Sequence, residues 1–528
     1  MYSYAQYIDG QDRPGTAWTY CLDAGAFLAD PRGTFGRKRR LERAGGEAPG
    51  TDADTAGITG RVALSGPDDV ADALRAAHAA AREWGRTDLD TRMELGPRLH
   101  AALKARHDEL LDILISEGHP RRLAEWEIAG MLMGSSPETV SFYRSQLEQR
   151  FDSPGRSIAL LRKPDGVVCL NPPQNAAASN SFLGTATLGA GNALVVKAPR
   201  TAPLGVAFLY REIVAPILDG LGAPPGTVNL VSGATRPMLR QWLNSPHVDD
   251  IMFFGDSDTG LEFGGECVAH GKKPVLELSG NDSLVVWNDA DLDGAVDALT
   301  ECFYGSGQIC MVPKCAVVHP DIADALLEKL TARCRALRPG YPDDPDVLLS
   351  PVLKMGGFHE VLADAERQGC AVLCGGRRVD VDGEPSLTGT FLEPTVVRVN
   401  GLRDARRVRA VREETFFPLL PVVVPDERDD TRELLGAVVD FVNDNEYGLR
   451  NSLWSGDEKV VETFARQVTN AGLLKVNDSH IGFVPYLGTH GGTGRTGGPY
   501  GELNYPILRT SHLQGVSVVT DGSRPTPV

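Results

Sequence analysis

Three observations predict an α/β fold organised around a doubly wound parallel sheet. At 528 residues the chain exceeds what one hydrophobic core holds, so two or three domains are expected. From Gly166 onward, short apolar runs bounded by Gly, Pro, Asn or Asp alternate with helical patterns, as βαβ units do. A second such series begins after Cys310.

In chain order, residues 20–60 read as a loop-rich insertion. Its basic run "GRKRRLER", Gly36 to Arg43, precedes the acidic "EAPGTDADTAG", which predicts a solvated surface loop. From Ser65 the pattern turns helical, and Ser65 with Asp68 resembles a capping box ahead of "DDVADALRAAHAAAREW". The first strand series is "GVVCL", "NALVVKA", "VNLVSG", "IMFFG" and "DSLVVWN". These runs are apolar throughout, as strands covered on both faces require. Helical patterns separate them: "TAPLGVAFLYREIVAPILDGLG", "ATRPMLRQWLN" and "SDTGLEFGGECVAHG". The second series runs "KCAVVHP", the amphipathic "DIADALLEKLTARCRAL", then "AVLCGG", "FLEPTVVRV" and "LPVVVP". Two more helices and the strand "LLKVN" follow, and "GVSVVTDGS" reads as an edge strand pairing outside its own domain.

A net charge of −17 argues against nucleic-acid or anionic-membrane partners, which need a positive field. The first residues have neither a charged n-region nor an apolar h-region, so no export signal is expected. No apolar run is long enough to cross a bilayer. Nine cysteines in so long a chain make no disulfide framework, and reduced thiols in a cytoplasm are the expectation. "CAVLC" reads as a buried strand, and the histidines form no HxxxH pair, so no metal site is predicted.

Four local patterns carry candidate chemistry. In "PQNAAASN", Asn175 stands at a helix entry, where its amide can donate to an oxyanion or simply cap the helix. In "VVKAPR", Lys197 and Arg200 stand at the end of a parallel strand, the edge where open sheets bind phosphate or ribose; two surface charges are the plainer reading. In "LELSGN", Glu277 lies inside an apolar strand, either as a buried base of raised pKa or on a solvent-facing side. In "YGSGQICMVPK", Cys310 follows a small-residue turn, as a packed thiol or as a nucleophile whose thiolate peptide N–H groups stabilise.

The order and spacing of these patterns resemble the aldehyde dehydrogenase superfamily, from about Ser65 to the C-terminus. "PQN" stands where that family has Pro-Trp-Asn, "LVVKAPR" where it has Val-Val-Lys-Pro-Ser-Glu, and "LELSGN" where it has Leu-Glu-Leu-Gly-Gly-Lys. "FFGDSDTG" stands for Phe-Thr-Gly-Ser with a later glycine, and "GQIC" for Gly-Gln-x-Cys. "FLEPTVV", "EETFFP", "EYGL" and "THGGTGRTGG" follow in family order.

The resemblance implies an aldehyde dehydrogenase-like α/β fold of two doubly wound domains plus a small β oligomerisation element. Its dinucleotide-binding domain would comprise residues 1–150 and 166–276, with the 20–60 insertion, and its catalytic domain 277–480. Residues 151–165 and 500–528 would supply the oligomerisation strands of a homodimer or homotetramer. Cys310 would capture an aldehyde as a thiohemiacetal, Asn175 and the Cys310 N–H would hold the oxyanion, and Glu277 would activate water against the thioester. Lys197, Arg200, Gly255, Asp256, Gly260, Glu414 and Phe416 would contact the cofactor. Arg200 stands where NAD-preferring relatives carry a glutamate, which favours NADP over NAD. Asp256, in place of a serine near the cofactor phosphates, is electrostatically poor for a diphosphate yet a good helix N-cap, and the sequence leaves both roles open.

Met131, Met133, Tyr143, Ile309, Met311, Phe483 and Tyr486 fall in regions that line the family's tunnel. They suit a hydrophobic or aromatic aldehyde, whereas Arg144 and His480 would greet a polar one. The expected product is a free acid. A coenzyme A-acylating enzyme and a non-catalytic relative are the alternatives, and the departures at Gln174, Asp256 and Ser279 keep the second of these open; Asn281, in place of a lysine, is a further departure.

Overall fold

A computed structural model describes residues 1–15, 17–45, 55–352, 354–426, 434–520 and 522. Two seven-stranded, mainly parallel sheets carry the α/β fold that the sequence predicts. The first is built on β1 (Val167–Asn171), β2 (Ala193–Ala198), β3 (Val228–Ser232), β4 (Asp250–Phe254) and β5 (Lys273–Glu277). Their spatial order is β5-β4-β1-β2-β3, extended past β3 by the antiparallel hairpin of Gln6–Ile8 and Gln11–Arg13. The chain therefore reverses direction between β1 and β4, which opens a crevice at their carboxyl ends.

The continuous apolar runs are explained by cover on both faces. Val168, Leu170, Leu194 and Val196 face one core, while Val167, Cys169, Ala193 and Val195 face another. Helix α1 (Arg121–Gly134) and helix α2 (Ala177–Ala190) lie on the first side, and α3 (Ser257–Ala269) on the second. Gly260 lets α3 approach the chain just beyond β5, because a Cβ there would strike the Leu278 side chain.

The second sheet contains β6 (Asp282–Val286), β7 (Pro313–Val318), β8 (Thr395–Asn400), β9 (Leu419–Val424), β10 (Arg450–Trp454) and β11 (Leu473–Val476). Its order is β8-β9-β7-β6-β10-β11, with Ala371–Cys374 antiparallel outside β8. Only Leu278–Asn281 separates β5 from β6, so the carboxyl edge of the first sheet abuts the amino edge of the second. Everything that follows is assembled along that seam.

Some local expectations change. Within the stretch expected to be loop-rich, Ala24–Ala29 and Pro31–Arg43 are helices, while residues 46–54 lie outside the described residues. Asp23 accepts from the Ala26 N–H at 2.8 Å, and Asp30 from the Gly33 N–H at 2.9 Å. Pro31 then occupies the first turn, where its missing N–H costs nothing. The basic run is thus helical; Arg39 lies over the Phe35 ring and Lys38 pairs with Glu42. The capping box at Pro67–Trp84 sits one residue later than expected. Asp69, not Asp68, accepts from the Gly66 N–H, and Ser65 Oγ accepts from Ser232 N instead.

The helix from Leu204 to Gly220 widens to a π turn over Leu209–Val214, just ahead of Pro216, whose ring disfavours ordinary helix there. Ser511–Val519, expected to pair outside its own domain, runs antiparallel to Arg156–Pro164, which also pairs with Glu148–Ser153. No helix among the described residues is long and apolar enough to cross a membrane.

Candidate active site

The seam concentrates the predicted residues. β1 leads to Asn175, β4 to Gly255 and Asp256, and β5 ends in Glu277, all at neighbouring carboxyl ends. Across the seam, Cys310 precedes β7, Gly280 precedes β6, and Glu414 with Phe416 precedes β9, all at amino ends.

The turn before Cys310 places Gly305, Ser306 and Gly307 in succession in the left-handed region, with φ of 58°, 57° and 71°. Ser306 is the costly member, since a Cβ disfavours that conformation. It is held from both sides: its hydroxyl donates to Ser350 O at 2.6 Å and accepts from Ser350 N at 3.0 Å. At Gly307 a Cβ would strike the Phe417 carbonyl. The buried Lys314 ammonium donates to Gly307 O at 2.6 Å and Thr415 O at 2.7 Å, and lies 5.1 Å from the centre of the Phe416 ring. One cation thereby fastens the turn before Cys310 to the Glu414–Phe416 segment.

Cys310 and Asn175 line one open-mouthed cavity of about 860 Å³, solvent at its mouth included. Asn175 Nδ2 donates to Gln308 O at 2.8 Å, which orients the amide and leaves it a second N–H. Burial first, then the carboxylates Glu414 and Asp282, push the Cys310 thiol up to about 12, against the pull of Lys314 and Arg450. The ligand-free site therefore holds a thiol, where a stabilised thiolate was the sharper expectation.

Glu277 is buried, which removes the solvent-facing alternative. Its oxygens accept from Gly491 N at 2.7 Å and Asn504 Nδ2 at 2.6 Å. Burial outweighs these bonds and raises its pKa to about 7. Asn504 itself lines the cavity, so Glu277 stands one side chain behind the wall.

Of the expected tunnel residues, Met131, Met133, Tyr143, Ile309, Met311 and Phe483 line the cavity. Tyr486 is half-exposed outside that lining, edge-on to Phe142. Arg144 and His480 do not greet a substrate. Arg144 is exposed and paired with Asp90, and His480 is fully buried between Ser452 and Asp282. Both side chains are taken by partners from elsewhere in the fold, which no local pattern announces.

Of the residues expected to contact the cofactor, Lys197 lies buried one residue before the end of β2, and among the described residues it has no ion pair or hydrogen bond. Burial lowers its pKa to about 8. A buried ammonium without a partner at a sheet's carboxyl edge suits an oxygen-rich ligand such as a ribose. Arg200, beyond the strand, is exposed. Asp256 takes the capping role, accepting from Thr259 N at 2.9 Å at the start of α3. Gly255 N donates to Glu277 O at 3.3 Å. Glu414 accepts from Gly280 N at 3.0 Å, and a Cβ at Gly280 would strike the Cys310 carbonyl.

Several residues here escaped sequence reading: Lys314, the buried Asp282 and Arg450 beside it, and the wall residues Glu127 and Ser179. A lysine near the start of an otherwise apolar strand, as in "VPKCAVV", was the available signal for Lys314. No group of three or more His, Cys, Asp or Glu able to hold a metal occurs among the described residues.

The family model described as "Aldehyde dehydrogenase family" matches residues 43–510. A benzaldehyde dehydrogenase (NAD+) of Pseudomonas putida is 29% identical over 473 residues, 87% of this chain and 91% of that one. A probable succinate-semialdehyde dehydrogenase (NADP+) of Sinorhizobium fredii is 29% identical over 466 residues, 85% of this chain and 89% of that one. Among solved structures, an NAD-dependent aldehyde dehydrogenase from Sinorhizobium meliloti superposes with a TM-score of 0.80 at 24% identity, covering 99% of this chain and 96% of that one.

Two outcomes follow from this geometry. Iodoacetamide labelling of the ligand-free protein, read on the Cys310 peptide, is slow at pH 7 and climbs roughly tenfold per pH unit up to pH 10. Cys374, drawn down by a hydrogen bond from Cys334, labels first; fast labelling of Cys310 at pH 7 would contradict the assignment. Lys314→Met strands two carbonyls and lowers stability by about 2 kcal/mol. Calorimetry on parent and variant measures this, and equal stability would remove Lys314 from its fastening role.

Proposed function

This chain is a member of the aldehyde dehydrogenase family, an NAD(P)-dependent aldehyde dehydrogenase, and on that premise we propose that it oxidises an aromatic or otherwise hydrophobic aldehyde to the free carboxylic acid, with NADP preferred. The observation that carries this reading is the single cavity that exposes Cys310 and Asn175 together at its wall.

Cys310 is the nucleophile. Its thiol adds to the aldehyde carbon, forming the C–S bond of a thiohemiacetal as the carbonyl π bond opens onto oxygen and the thiol proton passes to water at the cavity mouth. The Asn175 amide and the Cys310 N–H donate to the oxygen as negative charge develops there, where water-excluded donors act most strongly. When bound, NAD(P) supplies the acceptor for the aldehydic hydrogen. Lys197, Arg200, Glu414 and Phe416 are the residues that would hold it. Glu277, ionised, then removes a proton from the water that attacks the Cys310 thioester, and the thiol leaves. To do so its carboxylate must turn away from Gly491 N and Asn504 Nδ2 toward the cavity. A thioester is a good acyl donor but water is a poor nucleophile, so this step most needs a base.

The lining supports the substrate class. Three methionines, two phenylalanines, an isoleucine and a tryptophan are among its larger apolar side chains, and among the described residues it contains no lysine or arginine to pair with a carboxylate tail. That favours the benzaldehyde-type substrate named for one relative over the semialdehyde named for the other. The NADP preference rests on Arg200, an exposed cation without an ion pair among the described residues, standing past the end of β2.

Two measurements test the proposal. A base works only when charged, and the raised pKa of Glu277 leaves it protonated below about pH 7. So kcat for benzaldehyde falls about tenfold per unit below pH 7 and levels off above it; a flat profile from pH 5.5 to 9 would contradict the role. Arg200→Glu lowers the NADP-to-NAD ratio of kcat/KM by about tenfold, and an unchanged ratio would remove the cofactor preference.

A further inference from the structure

The cavity wall holds a polar group that the proposed chemistry does not use. On α1, Glu127 is buried, yet it lines the same cavity as Cys310. Ser179, on α2, is only partly buried and also lines it. The Ser179 hydroxyl donates to Glu127 Oε2 at 2.7 Å; its other acceptor, Ala176 O, is 3.4 Å away. Glu127 is fixed in turn from outside the cavity. His119 Nδ1 lies 2.6 Å from Oε1 in an ion-pair contact. Burial alone would lower the His119 pKa, but Glu127 and Glu117 outweigh it and raise it, which favours the imidazolium.

A hydroxyl has one proton to give. With that proton committed to Glu127, Ser179 presents only lone pairs to the cavity. It becomes a fixed acceptor in a wall that is otherwise mostly apolar. Its place relative to the reacting end follows from the chain: Asn175 stands in the turn just before α2 and Ser179 in the first turn of that helix, and both line the one cavity. Four residues of chain leave room between them for a benzene ring bearing one substituent.

We propose that Ser179, oriented by Glu127, determines specificity by accepting a hydrogen bond from a hydroxyl carried one ring's length from the aldehyde carbon, which makes ring-hydroxylated aromatic aldehydes the substrate class. This rests on the aromatic-aldehyde reading above and narrows it. An aldehyde carrying only acceptors at that position, such as a carboxylate, finds lone pairs facing lone pairs. An unsubstituted ring neither gains nor loses at Ser179.

The test compares kcat/KM for 3- and 4-hydroxybenzaldehyde, 4-carboxybenzaldehyde and benzaldehyde in the parent enzyme, Ser179→Ala and Glu127→Gln. The parent favours the better hydroxylated substrate over benzaldehyde by about fivefold or more, the worth of one hydrogen bond. Ser179→Ala abolishes that preference while benzaldehyde turnover stays within about twofold, because the substitution removes an acceptor without touching Cys310, Asn175 or Glu277. In Glu127→Gln the side-chain amide can donate to Ser179, the hydroxyl is released to turn toward the cavity, and the preference falls too. Oxidation of all four aldehydes with the same hydroxyl preference in parent and Ser179→Ala overturns this assignment alone, as does a parent that prefers the carboxylate. Failure of the parent to oxidise any of them overturns the aromatic-aldehyde reading as well.

Discussion

The site depends on one buried cation. Lys314 opens β7 inside the protein, where an ammonium is costly unless its protons find acceptors. It finds two main-chain carbonyls, Gly307 O and Thr415 O, which belong to segments far apart in sequence. The first ends the left-handed turn that delivers Cys310, and the second sits between Glu414 and Phe416. Burial lowers the Lys314 pKa, and the Glu414 carboxylate opposes that shift. The same charge draws down both Cys310 and Glu414, which burial pushes up. One side chain therefore contributes both to the position and to the electrostatics of the site.

The second constraint is the seam between the sheets. Parallel α/β sheets ordinarily present ligand sites at their carboxyl edges, and the first sheet carries Asn175, Lys197 and Glu277 at that edge. Cys310 comes instead from the amino edge of the second sheet. The two edges meet because β5 runs into β6 through only four residues, Leu278–Asn281, with Gly280 small enough to pass against the Cys310 carbonyl. Cys310 and Glu277 thus rest on different rigid elements, with Cys310 on the cavity wall and Glu277 behind it. Two hydrogen bonds hold Glu277 there, and the proposed mechanism requires its side chain to rotate out of them.

Much of this was legible in the residues because it is local or repetitive. Continuous apolar runs such as "NALVVKA" announced strands covered on both faces, and the glycine-rich turn before Cys310 announced a sharp change of direction. Glu277 was conspicuous as a carboxylate between leucines. What escaped reading was long-range or depended on a single cap. Lys314, Arg450 and Asp282 are charged residues whose partners come from elsewhere in the chain, and Arg144 and His480 are engaged by Asp90 and by Ser452 with Asp282. The helix at Pro31–Arg43 hides in a basic, glycine-containing run whose decisive signal is the pair Asp30–Pro31. The Ser179–Glu127 contact spans 52 residues and joins two helices, a relation no periodicity encodes.

The central claim is that the substrate carbon becomes covalently attached to Cys310 before water releases it. The most direct measurement is peptide-resolved mass spectrometry of Glu277→Gln after mixing with benzaldehyde and NADP, quenched in acid. The account predicts that the Cys310 peptide gains one benzoyl group and that no other cysteine peptide does. Acylation of a different residue, or reduced-cofactor formation without any acyl adduct on Cys310, would contradict it.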